Sequence, residues 1–256
     1  MAGETAYSLA VVPQVPASIV QRDWAPLLAR IENDTGQRFE LKFYSSIPAF
    51  EKGFLAGEAD FAYMNPYHAV MARKAQGYVP LIREGKRKLV GILVVRKDSS
   101  LHDVQALDGK VVAFPSPNAL AASLYMRALL AEQDKIRIVP AYVQTHSNVF
   151  RHVIFGKAIA GGAVNKTLRK ESDALRGELR ILYETPGIAS HPICAHPRVP
   201  VSDRKLLVST IIKLAGTDDG KKLLDRIAIP NPVVADYQQD YEVLDKLGLG
   251  KYLGED

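Results

Sequence analysis

One cysteine, Cys194, stands in 256 residues. It excludes an intrachain disulfide and any site built from several thiolates. No run of about 18 apolar residues occurs, which excludes an apolar membrane-spanning helix. No secretory leader is expected: Met1-Ala2-Gly3-Glu4 passes directly into the strand-like Tyr7-Ser8-Leu9-Ala10-Val11-Val12. That start suits a cytosolic chain or the mature form of an exported one. The nucleophile elbow, the P-loop and the dinucleotide-binding glycine pattern are all missing. No histidine has a metal-ligand spacing, so His146, His152, His191 and His196 are expected to be ordinary polar or loop residues, with no metal and no cofactor. His191 precedes Cys194 by three positions, which on a strand face opposite sides, so Cys194 is expected to be buried and inert. Neither a nucleophile–base pair nor paired carboxylates are visible, and an enzyme is not expected.

Charge of one sign is also scarce. There are 33 Lys and Arg against 28 Asp and Glu, a net charge of +5. The one dense basic run, Arg83-Glu84-Gly85-Lys86-Arg87-Lys88, lacks aromatics and reads as a solvated turn rather than a nucleic-acid patch. The slight positive balance favours an anionic ligand by steering.

What is present is an alternation of strand and helix signals in a chain that is 47% hydrophobic and 24% charged, ordinary for a globular protein. Strands are expected at 9–12, 39–44, 59–63, 79–82 and 89–95, with helices at 17–34, 47–56 and 67–75 between them. The pattern then restarts. Strands are expected at 111–114, 136–142, 158–164, 179–183 and 193–195, and helices at 119–132, 148–155 and 166–175. The remainder reads as helices at 204–215, 220–226 and 237–247. Gly156, Gly161 and Gly162 flank or sit in a strand and read as turn and close-packing residues. Repeated strand–helix units imply α/β architecture with parallel sheets. Two such blocks imply two lobes, 1–95 with 195–256 and 96–194, joined by two crossing segments that form a hinge, with a ligand cleft between the lobes.

Open α/β sheets bind ligands beyond the C-terminal ends of their strands. Those ends carry Tyr44-Ser45-Ser46, Tyr63-Met64-Asn65, Pro115-Ser116-Pro117-Asn118-Ala119 and Thr145-His146-Ser147-Asn148. Several stand directly before a helix, where free N–H groups and the positive dipole end suit an oxyanion. The same residues also read as simple helix caps.

At this point the chain resembles the phosphate/phosphite/phosphonate-binding family of ABC-transporter solute receptors, a type II periplasmic-binding fold. The likeness is carried by Gly57-Glu58-Ala59-Asp60-Phe61-Ala62-Tyr63 followed by Asn65-Pro66-Tyr67, and by Asp98-Ser99 with Leu107-Asp108-Gly109-Lys110. Thr145-His146-Ser147, Gly161-Gly162-Ala163-Val164 and Glu184-Thr185-Pro186-Gly187 complete it. The resemblance implies a pocket tyrosine at Tyr63 and a pocket histidine at His146. It implies a first-lobe wall at Tyr44 or Ser45, and an anion-holding segment at Asn118-Ala119 with Ser116, Thr145 and Ser147 nearby. Relatives carry a Ser-Thr-Ser run there, where this chain has Asn118-Ala119-Leu120-Ala121-Ala122-Ser123. Three side-chain donors are absent, each worth roughly 1.5–3 kcal/mol as a charge-assisted bond. No acid stands in 187–191, and Gly161-Gly162 replaces an acid of the relatives, which argues against 2-aminoethylphosphonate. The resemblance implies a periplasmic monomer that delivers a small anion to a membrane permease. The alternative is the binding subunit of a sensor that signals to a membrane histidine kinase.

Overall fold

The protein is described from a computed structural model over residues 6–254. The expectation about Met1-Ala2-Gly3-Glu4 lies outside the described residues. The chain forms two compact units. One comprises the chain up to Lys88 with Ala189–Val243; the other comprises Leu89–Ile188 with the chain from Leu244 onward. These boundaries differ from the 95/96 and 194/195 positions expected from sequence. The C-terminal segment also groups with the second unit rather than the first, because Tyr252 and Gly254 are bonded to Arg127 and Asn118 there.

The first unit begins with β1 (Tyr7–Val11), α1 (Ala17–Thr35), β2 (Phe39–Lys42), α2 (Ile47–Leu55), β3 (Phe61–Tyr63), α3 (Pro66–Gln76) and β4 (Val79–Glu84). Apolar periodicity makes α1: Val20, Trp24, Leu27, Leu28 and Ile31 form its buried stripe. Gly36 ends it in the left-handed conformation, at φ 76°, which costs glycine nothing. Ser46 caps α2 and Asn65 caps α3, each accepting from the backbone N–H three residues on.

The second unit holds β5 (Gly91–Arg96), β6 (Val111–Phe114), α4 (Tyr125–Glu132), β7 (Val139–Tyr142), α5 (His146–Ile154), β8 (Ala160–Val164), α6 (Asn165–Arg169), α7 (Asp173–Gly177) and β9 (Leu179–Glu184). The chain then returns to the first unit through β10 (Ile193–Ala195), α8 (Val201–Leu214), α9 (Asp218–Arg226), β11 (Pro232–Val234) and α10 (Tyr237–Asp240). Helix α11 (Glu242–Lys246) straddles the third passage between the units.

The sheets are mixed, not parallel as expected. The first runs β11-β4-β10-β3-β1-β2 and the second β7-β6-β8-β5-β9. β1 pairs parallel with β2 and β3, whereas β10 runs against both β3 and β4. β6 pairs parallel with β7 and β8, whereas β5 runs against β8 and β9. Each βα run builds its parallel part; strands arriving from elsewhere in the chain need no crossover helix and insert antiparallel.

Both faces of each sheet are covered, which explains why the strands read as continuous apolar runs. In β1, Leu9 and Val11 pack with Trp24, Leu27 and Ile31, while Ala10 and Val12 pack with Phe50, Phe54 and Tyr78. In β5, Leu93 and Val95 meet Phe114, Met126 and Leu130, while Ile92 and Val94 meet Phe150 and Val153.

Three expected helices differ. The helix at 166–175 is two short ones, because the Ser172 side chain accepts from Leu175 N–H and starts α7 anew. The terminal helix is broken at Tyr241, whose ring is fully buried and whose hydroxyl donates to the Ser190 carbonyl. The helix at 119–132 opens with a π turn, Leu120–Leu124, before α4. β11 falls between the helices expected at 220–226 and 237–247, where no strand is expected from the sequence; its leading Pro232 is tolerated because it begins an edge strand. Among the described residues no helix is long and apolar enough to cross a membrane.

Candidate functional site

In the first unit the relevant strand ends are those of β1, β2 and β3. Beyond β1, the segment Pro13-Gln14-Val15-Pro16 leads into α1, whose first turn has no side-chain cap. A depression of about 390 Å³ opens here, lined by Val11, Gln14, Val15, Ala17, Tyr44 and Ser45 among others. Tyr63 ends β3 and is partly buried. Its ring lies 5.0 Å from that of Trp24 and 5.6 Å from that of His191. His191 Nε2 in turn lies 3.1 Å from Gln14 Nε2. Burial pushes the Tyr63 phenol well above its ordinary pKa, so it remains a neutral hydroxyl.

Ser45 is exposed and lines the depression. Tyr44 lines it by its ring, but its hydroxyl is engaged elsewhere. It donates to Glu58 (3.0 Å), which also takes Lys42 Nζ (2.7 Å). Burial first, and that carboxylate second, raise the Tyr44 pKa. The ring packs edge-on against Phe50 and occupies the space a side chain at Gly53 would need. Tyr44 is an anchored wall.

In the second unit, Ser116, Pro117, Asn118 and Ala119 form the loop between β6 and the π turn. The π turn is a backbone device: helix N-termini leave N–H groups without intrahelical partners, although here the Ser123 and Leu124 N–H groups both bond to Ala119 O. Two glycines bring it close to the sheet. A Cβ on Gly91 would meet Ala121 O at 2.1 Å, and one on Gly162 would meet Ala122 O at 2.2 Å and Phe114 at 2.3 Å. Gly161-Gly162 therefore serves close packing.

Asn118 is occupied. Its Nδ2 donates to Gly254 O (3.2 Å) and its Oδ1 accepts from Gly254 N–H (3.1 Å), so the amide clasps the C-terminal segment. Behind the loop stands Arg127, which sequence reasoning missed. Its Nη2 donates to Pro117 O and to Tyr252 O, both at 2.7 Å, and its Nε to Ser123 Oγ at 3.2 Å. The guanidinium lies 5.8 Å from the Tyr142 ring centre. Burial lowers its pKa. The signal was a single cation inside the apolar run Tyr125-Met126-Arg127-Ala128-Leu129-Leu130.

Thr145 caps α5, accepting from Asn148 N–H at 3.1 Å, and Ser147 donates to Glu171. For both, the side-chain oxygen expected at a ligand serves the fold. His146 opens α5. Its Nδ1 is buried without a hydrogen-bond partner among the described residues, and burial holds the ring below its ordinary pKa. His152 Nδ1 lies 2.8 Å from Asn148 O, within its own helix. Cys194 is fully buried, and its thiol is pushed up by that burial.

Within the first unit Tyr44, Ser45 and Gln14 line one depression, and Tyr63 adjoins it only through His191, which meets Gln14. Within the second it places Ser116, Asn118, Ala119 and the Thr145–Ser147 turn at strand ends, and adds Arg127.

Three comparisons bear on this arrangement. Phosphate-import protein PhnD of Mycolicibacterium smegmatis is 23% identical over 210 residues, 74% of this chain; the match spans 65% of that protein's length. The structure of XAC2383 from Xanthomonas citri bound to ATP superposes with a TM-score of 0.82 at 15% identity, covering 97% of this chain and 99% of that one. That of PhnD1 from Prochlorococcus marinus in complex with methylphosphonate superposes with a TM-score of 0.77 at 15% identity, covering 96% and 98%. The fold is the type II periplasmic-binding fold that the sequence likeness implied. The model of the family described as "ABC transporter, phosphonate, periplasmic substrate-binding protein" matches residues 9–241, and the chain belongs to that family.

Proposed function

We propose that the protein is a periplasmic receptor for a small oxyanion of the phosphonate, phosphite or phosphate type, which it delivers to an ABC permease. Binding, not catalysis, is the proposed activity. The observation that carries the reading is the π turn at Leu120–Leu124 following the Ser116–Ala119 loop. Main-chain N–H groups there can receive an anion although the side chains of 119–122 offer none. Arg127 behind the loop adds positive charge with no carboxylate within bonding distance among the described residues. Tyr63 at the end of β3 and His146 at the start of α5 are proposed as neutral side-chain donors to the anion.

The experiment is thermal unfolding with phosphate, phosphite, methylphosphonate and sulfate. A ligand at about 100 times its Kd adds about 2.7 kcal/mol. Tyr63→Ala and His146→Ala are expected to weaken the binding of whichever anion registers by tenfold or more, with both variants still folded although Tyr63→Ala, which removes a packed ring, lowers the unliganded melting temperature. Absence of a shift with every anion overturns the oxyanion reading. Wild-type affinity in both variants overturns the site.

A further inference from the structure

Helix α8 buries one face of the first unit through Leu207, Ile211 and Leu214. Two further apolar residues, Val201 (58% exposed) and Ile212 (41%), are left toward solvent, with the partly buried Val208 between them. Opposite this face of α8 runs β11, the edge of its sheet, where Val234 is 62% exposed. Between them lies a groove of about 700 Å³, floored by Pro80, Leu81 and Val208. It continues past Ile212 into a second hollow of about 740 Å³ beside Val233 and Pro230. Contiguous apolar surface of this kind, rimmed by polar groups, marks an interaction site.

The rim is mostly positive. Arg204, Lys205 and Lys213 line the first hollow, and Lys86 and Lys221 the second, against the single carboxylate Asp225. Arg204 spends its fork on the Val199 and Pro197 carbonyls, which leaves its charge uncompensated. Lys221 meets Asp218 only at 3.6 Å, with both side chains exposed.

We propose that this groove receives an amphipathic helix of a partner protein, apolar on one face and acidic along its flanks. The charge follows from the rim. A helix, rather than an added strand, follows from the two walls. β11 is three residues long and opens with Pro232, too little ladder to template a strand. On α8, positions 201, 208 and 212, spaced seven and four apart, share one helix face of the kind that packs against another helix. At 14 residues α8 is about 21 Å long, so the partner helix would span about four turns. This inference is independent of the ligand reading.

The test uses three labelled synthetic peptides and fluorescence anisotropy: an amphipathic helix with leucines on one face and glutamates on its flanks, the same helix with lysines for glutamates, and a scrambled acidic peptide. The first is expected to bind, to weaken as salt is raised, and to lose about tenfold in affinity to Lys205→Glu with Lys213→Glu. Ile212→Asp, exposed and unable to unfold the core, is expected to abolish binding. The lysine and scrambled peptides are expected not to bind. Absence of binding by the first peptide, or equal binding by the scrambled one, overturns the proposal. So does unchanged affinity in the charge-reversed variant. Binding to anionic lipid vesicles, or a concentration-dependent dimer, that is lost with Ile212→Asp while the first peptide fails would overturn it in favour of a membrane or a second copy.

Discussion

The two units treat the polar groups at their strand ends differently. In the first unit the key side chains are held by rings: Tyr63 between Trp24 and His191, Tyr44 against Phe50. Tyr63 leaves its hydroxyl at the end of a strand, on a support that does not depend on hydrogen bonds. In the second unit the polar side chains face inward. Asn118 holds Gly254, Thr145 caps α5, Ser147 reaches Glu171 and Asn148 reaches Val143 O. The groups proposed for a ligand there are the main chain of the π turn, Ser116 and the ring of His146. The difference teaches that loss of the hydroxyl run at 118–122 need not abolish an anion site. Backbone donors survive any side-chain replacement that keeps the turn.

That contrast can be broken most forcefully at Gly162. Gly162→Ala places a Cβ about 2 Å from the Ala122 carbonyl, so the π turn must move or the sheet must yield. A loss of about 3 kcal/mol in urea unfolding is expected. A near-neutral result would mean that the π turn is soft and that the second unit's main chain is not preorganised.

Next is Arg127→Leu, which removes the donors to Pro117 O, Tyr252 O and Ser123 Oγ. A loss of about 2 kcal/mol is expected, with faster amide hydrogen exchange at Gly254. Unchanged exchange there would assign the hold on the C-terminal segment to Asn118 and Glu132.

Thr145→Ala tests whether that residue is a cap or a ligand group. As a cap it costs about 1 kcal/mol of stability and leaves anion affinity alone. Lost affinity with unchanged stability would reverse the assignment and make the second unit resemble the first.

The smallest effect is a pH dependence confined to the first unit. The Tyr7 phenol donates to Asp203, tying β1 to α8. Burial first, then that bond and the charges of Asp203 and Asp60, raise its pKa to about 12. The folded value lies above the unfolded one, near 10. The bond therefore stabilises fully below about pH 10 and is lost as pH rises toward about 12. Since the group is only partly buried, the slope is expected to be shallow, and Tyr7→Phe should flatten it in alkaline urea titrations.

Much of this was legible in the sequence. The apolar stripe of α1, strand 111–114 and strand 193–195 agree with their elements closely, because periodicity and breakers are local signals. The family likeness was legible in Gly57–Tyr63 and Thr145-His146-Ser147, since order and spacing survive where identity is low. The occupancy of the candidate groups was not legible. Asn118 and Gly254 are 136 residues apart, and Tyr7 and Asp203 are 196 apart, so neither bond leaves a local trace. Arg127 stood in plain view, but its partners lie 10 and 125 positions away.

By itself the sequence determined the α/β class, the succession of elements and the family, because these rest on side-chain periodicity and on short motifs read along the chain. Only the tertiary structure decided the antiparallel insertion of β5 and β10, the π turn against Gly91 and Gly162, and the inward bonding of Asn118, Thr145 and Ser147. The physical reason is common to all three. Strand direction, backbone approach and the choice of hydrogen-bond partner are settled by which distant segments share a neighbourhood, and a polar side chain carries no mark of whether it will face a ligand or its own chain.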